Sequence, residues 1–155
     1  MSPLSALFFG YRQLSGAVVV EPDDDGALLE NPERPTGRPG SRAPHVRLRD
    51  NGTKLSTRDL FGRHFVLLAG ADGADWLAAG EKAGQALGIR CAGHLVGGRG
   101  GLVDLDGTFG ARYGIRADGA ALVRPDGVLA WRARTSGSPA ELEQALRRVL
   151  DRAAN

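Results

Sequence analysis

Residues 112–134 read RYGIRADGAALVRPDGVLAWRAR. Two apolar runs, Ala120–Val123 and residues 128–131, flank the tetrapeptide Arg124-Pro125-Asp126-Gly127. Proline presets φ for a turn, and Asp-Gly tolerates the positive φ that a tight reversal needs. Two short strands around such a tetrapeptide predict a β-hairpin. A short aromatic segment, Phe109 to Tyr113, precedes it with the look of a helix end. A strongly patterned helix follows. Ser138-Pro139-Ala140-Glu141 supplies an N-cap, a proline at the first helical position and a Glu placed for a capping box. Leu142, Ala145, Leu146, Val149 and Leu150 then recur three and four apart, as one apolar stripe.

The same reading extends upstream. Phe65–Ala69 is an unbroken apolar run of strand length, the pattern of a strand buried on both faces. Residues 74–87 predict a helix capped by Asp72 or Asp75, with Trp76, Leu77, Ala83 and Leu87 near one face and Gly88 just past its end. Residues 89–96 return as a strand. The run Gly97-Gly98-Arg99-Gly100-Gly101 reads as a flexible loop, and Leu102-Val103-Asp104 is too short to assign. Residues 106–113 predict a short helix, capped by Asp106 or Thr108 and ended by Gly114. Nearer the start, residues 44–48 alternate as an edge strand does, and Asn51-Gly52 is a hairpin-turn signal. Lys54-Leu55 resumes the pairing, and residues 56–62 predict one or two helical turns capped by Ser56 or Thr57. The βαβ portion implies a parallel pair with a right-handed crossover, and the hairpin adds antiparallel strands. The expected architecture is α/β: a thioredoxin-like mixed sheet flanked by helices, with an extended N-terminal arm.

That arm is residues 1–42, and the domain proper is residues 43–155. Residues 4–11 and 17–20 are strand-like pieces of the arm. Between residues 21 and 41 stand Pro22, Pro32, Pro35 and Pro39 with an acidic triplet, Asp23-Asp24-Asp25. Such punctuation means loop or linker, and its length exceeds an ordinary internal connection. The strand-like pieces therefore need a surface to pair with, on this domain or on another protein.

The 155 residues carry 20 basic and 18 acidic side chains, for a formal charge of +2. No basic block is interleaved with aromatics, which argues against nucleic-acid binding. No apolar run approaches the ~18 residues of a membrane span. No basic n-region precedes the apolar patch at the start, so the expected location is the cytoplasm. Lys54 and Lys82 are the only lysines among the basic residues. That bias, with abundant alanine and glycine, points to a GC-rich genome of the actinobacterial kind.

Few residues offer chemistry. Cys91 is the single cysteine, so neither an intrachain disulfide nor a CxxC pair can form. A nucleophilic cysteine needs a lowered pKa from a helix N-terminus or a cation. Thioredoxin-like enzymes place theirs where the first βα loop meets its helix. Here that position is residues 70–75, which hold no cysteine, and Cys91 falls inside the next strand as an inert core thiol. His45, His64 and His94 show no metal-ligand spacing. His94 with Arg90 or Arg99 is a candidate anion site, set against a solvent-facing or locally bonded histidine. Asp72, Asp75, Asp104 and Asp106 form a carboxylate set on paper, which helix caps and loop solvation account for. Trp131 is expected to pack one face of the hairpin, with interface anchoring as the alternative. Arg132 is expected to meet solvent or a carboxylate, and Trp76 to pack its helix on the sheet. No residue is assigned as catalytic, cofactor-binding or metal-binding.

Several stretches together resemble a known family. Tyr113-Gly114-Ile115, Asp118-Gly119-Ala120, residues 122–127 and Trp131-Arg132 resemble the C-terminal domain of FAD-dependent aromatic-ring hydroxylases, the p-hydroxybenzoate-hydroxylase-type flavin monooxygenases. The likeness is to the branch acting on aromatic polyketides. Residues 38–46, 56–62 and 65–68 fit as well, and residues 7–20 resemble the end of that family's substrate domain. In the family, FAD sits on an upstream Rossmann-type fold with a GxGxxG loop, and this chain has no such element. The resemblance implies a thioredoxin-like domain without redox cysteines, with a structural or interaction role and no FAD of its own. The implied partners are a second copy, paired through the arm, or an FAD-dependent hydroxylase. The alternatives are a small enzyme or aromatic-ligand-binding protein, and a split piece of a larger monooxygenase.

Overall fold

The computed structural model describes residues 18–28, 31 and 33–153. The strand-like piece at residues 4–11 lies outside them. In chain order the elements are β1 (Arg47–Asp50), β2 (Thr53–Ser56), a 3-10 turn (Thr57–Leu60), β3 (Phe65–Ala69), α1 (Ala74–Leu87), β4 (Cys91–Leu95), β5 (Val103–Asp104), α2 (Phe109–Tyr113), β6 (Ala120–Val123), β7 (Leu129–Ala133) and α3 (Pro139–Ala153).

The main sheet has the order β4-β3-β6-β7. β3 and β4 run parallel, while β3–β6 and β6–β7 are antiparallel. This is the mixed α/β sheet expected from the sequence. The hairpin turns where Pro125-Asp126-Gly127 requires it: Gly127 has φ 84, and its N–H donates to the Arg124 carbonyl at 2.9 Å. Side chains alternate across the sheet, so each strand feeds two cores. Val66, Leu68, Ala121, Val123 and Leu129 face one way. Leu67, Ala69, Leu122 and Trp131 face the other. Burial on both sides is why β3 and β6 carry no polar residue.

The two long helices cover the Leu67 face. Trp76, Ala79 and Ala83 of α1 meet Leu142, Leu146 and Val149 of α3 over it. The Trp76 and Trp131 rings stand edge to face, with centroids 5.4 Å apart at 70°, a favoured aromatic geometry. The opposite face lies under α2 and a small antiparallel sheet of order β2-β1-β5. Asn51 (φ 47) and Gly52 (φ 86) close its hairpin. β1 was expected at an edge and is instead central. Its second neighbour is β5, a two-residue strand that pairs Leu48 with Asp104 and carries no pattern of its own.

The helix ends refine the expected caps. Ser56 and Asp59 form the capping box of the 3-10 turn. Ser138 and Glu141 do the same for α3, through bonds of 3.3 Å to the Ala140 and Ser138 amides. Neither Asp72 nor Asp75 caps α1, whose N-cap is Gly73 without a side-chain bond. α2 begins at Phe109 rather than at residue 106, with Thr108, one of the two expected caps, at its N-cap position but making no side-chain bond. Its first turn is capped from β5, where the Asp104 carboxylate accepts the Phe109 N–H at 2.8 Å. The Gly97–Gly101 loop connects β4 to β5 and brings Leu102 beside Val96 as a parallel bridge, with the Gly97 N–H on the Leu102 carbonyl at 2.7 Å.

The described residues between 18 and 46 run along the open edge of β7. The register of β6 against β7 passes from Leu122↔Trp131 to Val123↔Leu129, so Ala130 is a bulge. Its carbonyl accepts the Val19 N–H at 2.7 Å. Gly40 donates to Leu129, Leu129 to Ser41 and Ala43 to Gly127, each at 2.8 Å. Residues 18–20 form no regular strand, yet the segment satisfies backbone groups that an edge would leave exposed. No helix among the described residues is long and apolar enough to cross a membrane.

Candidate functional site

Alternation along β7 turns Trp131 towards the helices and Arg132 to the opposite face. The Arg132 side chain is only 5% exposed. Its Nε and Nη2 donate to the two Glu21 oxygens at 2.8 and 2.7 Å. Its Nη1 donates to the Thr36 carbonyl at 2.6 Å and the Tyr113 carbonyl at 3.0 Å. The planar guanidinium fork suits such a bidentate carboxylate partner. Arg134 reaches Glu21 at 3.0 Å and Asp23 at 3.2 Å. Burial alone would raise the Glu21 pKa, but hydrogen bonds and charge from Arg132 and Arg134 outweigh it and hold the carboxyl below its ordinary range.

A second set of polar contacts lies on the same face. The Tyr113 hydroxyl donates to the Pro44 carbonyl at 2.7 Å. Thr57 donates to that carbonyl at 2.8 Å and accepts the Val46 N–H at 3.1 Å. Burial raises the Tyr113 phenol above its ordinary range, so it stays a neutral donor. Gly37, with φ +74, lies directly on the Tyr113 backbone, where a methyl group would overlap the carbonyl. These groups fasten residues 18–46 to the sheet. Arg132 was singled out from the sequence, and a carboxylate was one of its two expected partners. Glu21, Thr36 and Tyr113 were not foreseen, because they lie 111, 96 and 19 positions away.

The first βα junction, residues 70–75, packs on the loop before β6. The Asp72 N–H donates to the Ala117 carbonyl at 2.8 Å, and the Trp76 indole N–H to the Asp118 carbonyl at 3.0 Å. A groove of about 550 Å³ opens here, bordered by the first half of α1, Asp118 and the turn before α3. Asp72 and Asp75 stand on its rim with Asp118 and Glu81, two residues the sequence did not single out.

The other candidates separate. Asp104 caps α2, and Asp106 is bound by Arg47 through bonds of 2.7 and 2.8 Å. The four aspartates therefore form no single cluster. His94 is half-buried in β4. Burial lowers its pKa and the charge of Asp50 opposes that, with no contribution from Arg90 or Arg99. His45 bonds Ser56 at 2.6 Å. Among the described residues no group of three or more His, Cys, Asp or Glu is placed to hold a metal ion.

Cys91 sits on β4 against α1, and burial pushes its thiol up from 9.0 to about 11. The thiolate is the reactive form. At pH 8 such a rise leaves about 100-fold less thiolate than in an unperturbed cysteine. Alkylation of Cys91 by iodoacetamide at pH 8 is therefore expected to be about 100-fold slower in the folded protein than in urea. Equal rates would contradict the inert reading of this thiol.

The family described as "Aromatic-ring hydroxylase, C-terminal" matches residues 36–153. The chain is 50% identical over 145 residues to aklavinone 12-hydroxylase of Streptomyces purpurascens, covering 92% of this chain and 26% of that protein. It is 46% identical over 148 residues to 4-methyl-5-nitrocatechol 5-monooxygenase of Burkholderia sp, covering 92% of this chain and 27% of that one. The crystal structure of aklavinone-11 hydroxylase, a ternary complex with FAD and aklavinone, aligns with a TM-score of 0.89 at 47% identity. That alignment covers 96% of this chain and 28% of the other. The chain thus spans about a quarter of the length of these relatives. With its hairpin, its mixed sheet and a match over residues 36–153, the chain belongs to the family of aromatic-ring hydroxylase C-terminal domains.

Proposed function

We propose that this chain is a non-catalytic, thioredoxin-like interaction module of an FAD-dependent aromatic-ring hydroxylase system acting on aromatic polyketides in an actinobacterial cytoplasm. It docks on the rest of such a hydroxylase, the part corresponding to the three quarters of the relatives' length that this chain does not cover. One observation carries this reading: the buried polar side chains Arg132, Tyr113 and Thr57 all bond the segment 18–46. Groups engaged in four-fold and two-fold structural bonding are not poised for proton or group transfer, which needs a reacting atom within their reach. Cys91, with its thiol pushed up to about 11, adds no nucleophile.

Spectroscopy tests this directly. The purified chain is expected to be colourless, to leave added FAD unbound in equilibrium dialysis, and to hydroxylate no aromatic substrate alone. Stoichiometric flavin on the isolated chain, or turnover by it, contradicts the proposal. A stable homodimer that excludes the hydroxylase would replace docking by self-association through the arm.

A further inference from the structure

The groove at the first βα junction is not used by the contacts that fasten residues 18–46. Its lining includes the apolar side chains of Trp76, Ala79 and Pro139, and Trp76 is held in place by its bond to Asp118. Its rim carries Asp72, Asp75, Glu81 and Asp118 against the single cation of Lys82. Four carboxylates and one ammonium leave the groove three charges negative, on a chain whose formal charge is +2.

Elsewhere several carboxylates of this arginine-rich chain are paired with guanidinium groups. Glu21 pairs with Arg132, Asp25 with Arg38, Asp106 with Arg47 and Glu143 with Arg147. Among the described residues the four rim carboxylates have no ion-pair partner. An occupant that complements the groove therefore brings positive charge for the rim and apolar surface for Trp76, Ala79 and Pro139. The groove also adjoins the start of the described chain. Val19 packs on the cluster that holds Trp131 and Trp76. Arg134, which binds Glu21 and Asp23, lies two residues before the groove residue Ser136. In the relatives the remainder of the protein precedes this domain, so a long polypeptide reaches the fold at this end.

We propose that the groove docks an extended polypeptide segment of the partner, in which an arginine or lysine is flanked by apolar residues. The cation meets Asp72, Asp75, Glu81 and Asp118, and the apolar neighbours cover Trp76 and Pro139. The inference rests on the docking role proposed above and assigns it a surface.

The test uses the full chain and the indole N–H resonance of Trp76, with that of Trp131 as an internal reference. The probe is a capped Leu-Arg-Leu-Arg-Leu peptide, compared with its Leu-Glu-Leu-Glu-Leu counterpart and with guanidinium ion alone. Saturable movement of the Trp76 resonance is expected with the arginine peptide. Combined Asp72→Asn, Asp75→Asn, Glu81→Gln and Asp118→Asn substitution is expected to weaken its apparent affinity at least about tenfold, since each removed charge lowers complementarity. Glu81→Gln alone is expected to weaken it measurably, which keeps the test open if the combined variant does not fold. Asp50→Asn, outside the groove, is expected to change nothing. A stationary Trp76, an equal response to the glutamate peptide, an unchanged affinity in the carboxamide variants, or an equal effect of guanidinium ion overturns the proposal. If the chain docks a hydroxylase while Trp76 stays silent, only the groove assignment fails. If the peptide binds as expected and no hydroxylase docks, only the choice of partner fails.

Discussion

Replacing Arg132 by alanine is expected to lower the unfolding free energy by about 3–5 kcal/mol, the cost of breaking a buried ion pair from one side. The loss exceeds that of a surface pair, worth about 0–1 kcal/mol, because three partners are stranded at once. Glu21 would keep a half-buried carboxylate with only Arg134 beside it. The Thr36 and Tyr113 carbonyls would each lose a charged donor. A paired exchange, Arg132→Met with Glu21→Gln, is expected to cost clearly less, since no buried charge is left uncompensated. Urea unfolding of the two variants beside the unaltered chain measures the difference. Hydrogen exchange at the Val19 and Gly40 amides then separates release of the segment from loss of the sheet. A cost under about 1 kcal/mol for Arg132→Ala would place the pair among surface bridges and remove it as the fastener.

Gly37→Ala is expected to act on the same contact from the opposite side. The left-handed backbone at φ +74 costs an alanine about 1–2 kcal/mol. The new methyl would also overlap the Tyr113 carbonyl, a backbone atom that cannot swing aside as a side chain does. Relief requires residues 36–38 to lift, and lifting withdraws the Thr36 carbonyl from Arg132. The summed loss is expected to reach about 3 kcal/mol or more, in the range reserved for backbone conflicts and broken buried networks. It should appear first as faster amide exchange at Gly40 and Ala43, whose bonds to Leu129 and Gly127 hold the neighbouring stretch. The β3 and β6 amides are expected to exchange more slowly than these in the variant, since the core they share does not depend on residue 37. Unchanged exchange at Gly40 would show that residues 36–38 have room the structure does not give them.

The parts of the fold readable from the sequence are those specified locally. Pro125-Asp126-Gly127 dictates its own turn, Ser138 to Glu141 its own cap, and the run Phe65–Ala69 its own burial. What the sequence hid depends on contacts between distant positions. β5 has two residues and exists because Leu48 offers it a partner. The cap of α2 comes from Asp104, five residues before the amide it binds, outside any capping pattern within a single turn. The course of residues 18–46 is punctuated by proline and glycine and has no period. It is set by Arg132, Tyr113 and the bulge at Ala130. For the site, Arg132 and Trp131 were legible as unusual residues at a strand end. Glu21 looked like one more acid in an acidic linker. Asp118 reaches the groove from the loop before β6, so no local spacing could have joined it to Asp72 and Asp75, and Glu81 stands six residues after Asp75 on α1, outside the i, i+3 and i, i+4 spacings.

The proposed role of this chain, docking on a hydroxylase without chemistry of its own, can be read from a single titration. The most direct measurement is a titration of the purified chain into an aromatic-polyketide hydroxylase lacking its own C-terminal quarter, read by light scattering during gel filtration. Co-elution at the mass of a one-to-one complex is expected, with flavin travelling only with the hydroxylase. Separate elution of the two proteins at every ratio, or flavin carried by this chain, would contradict that role.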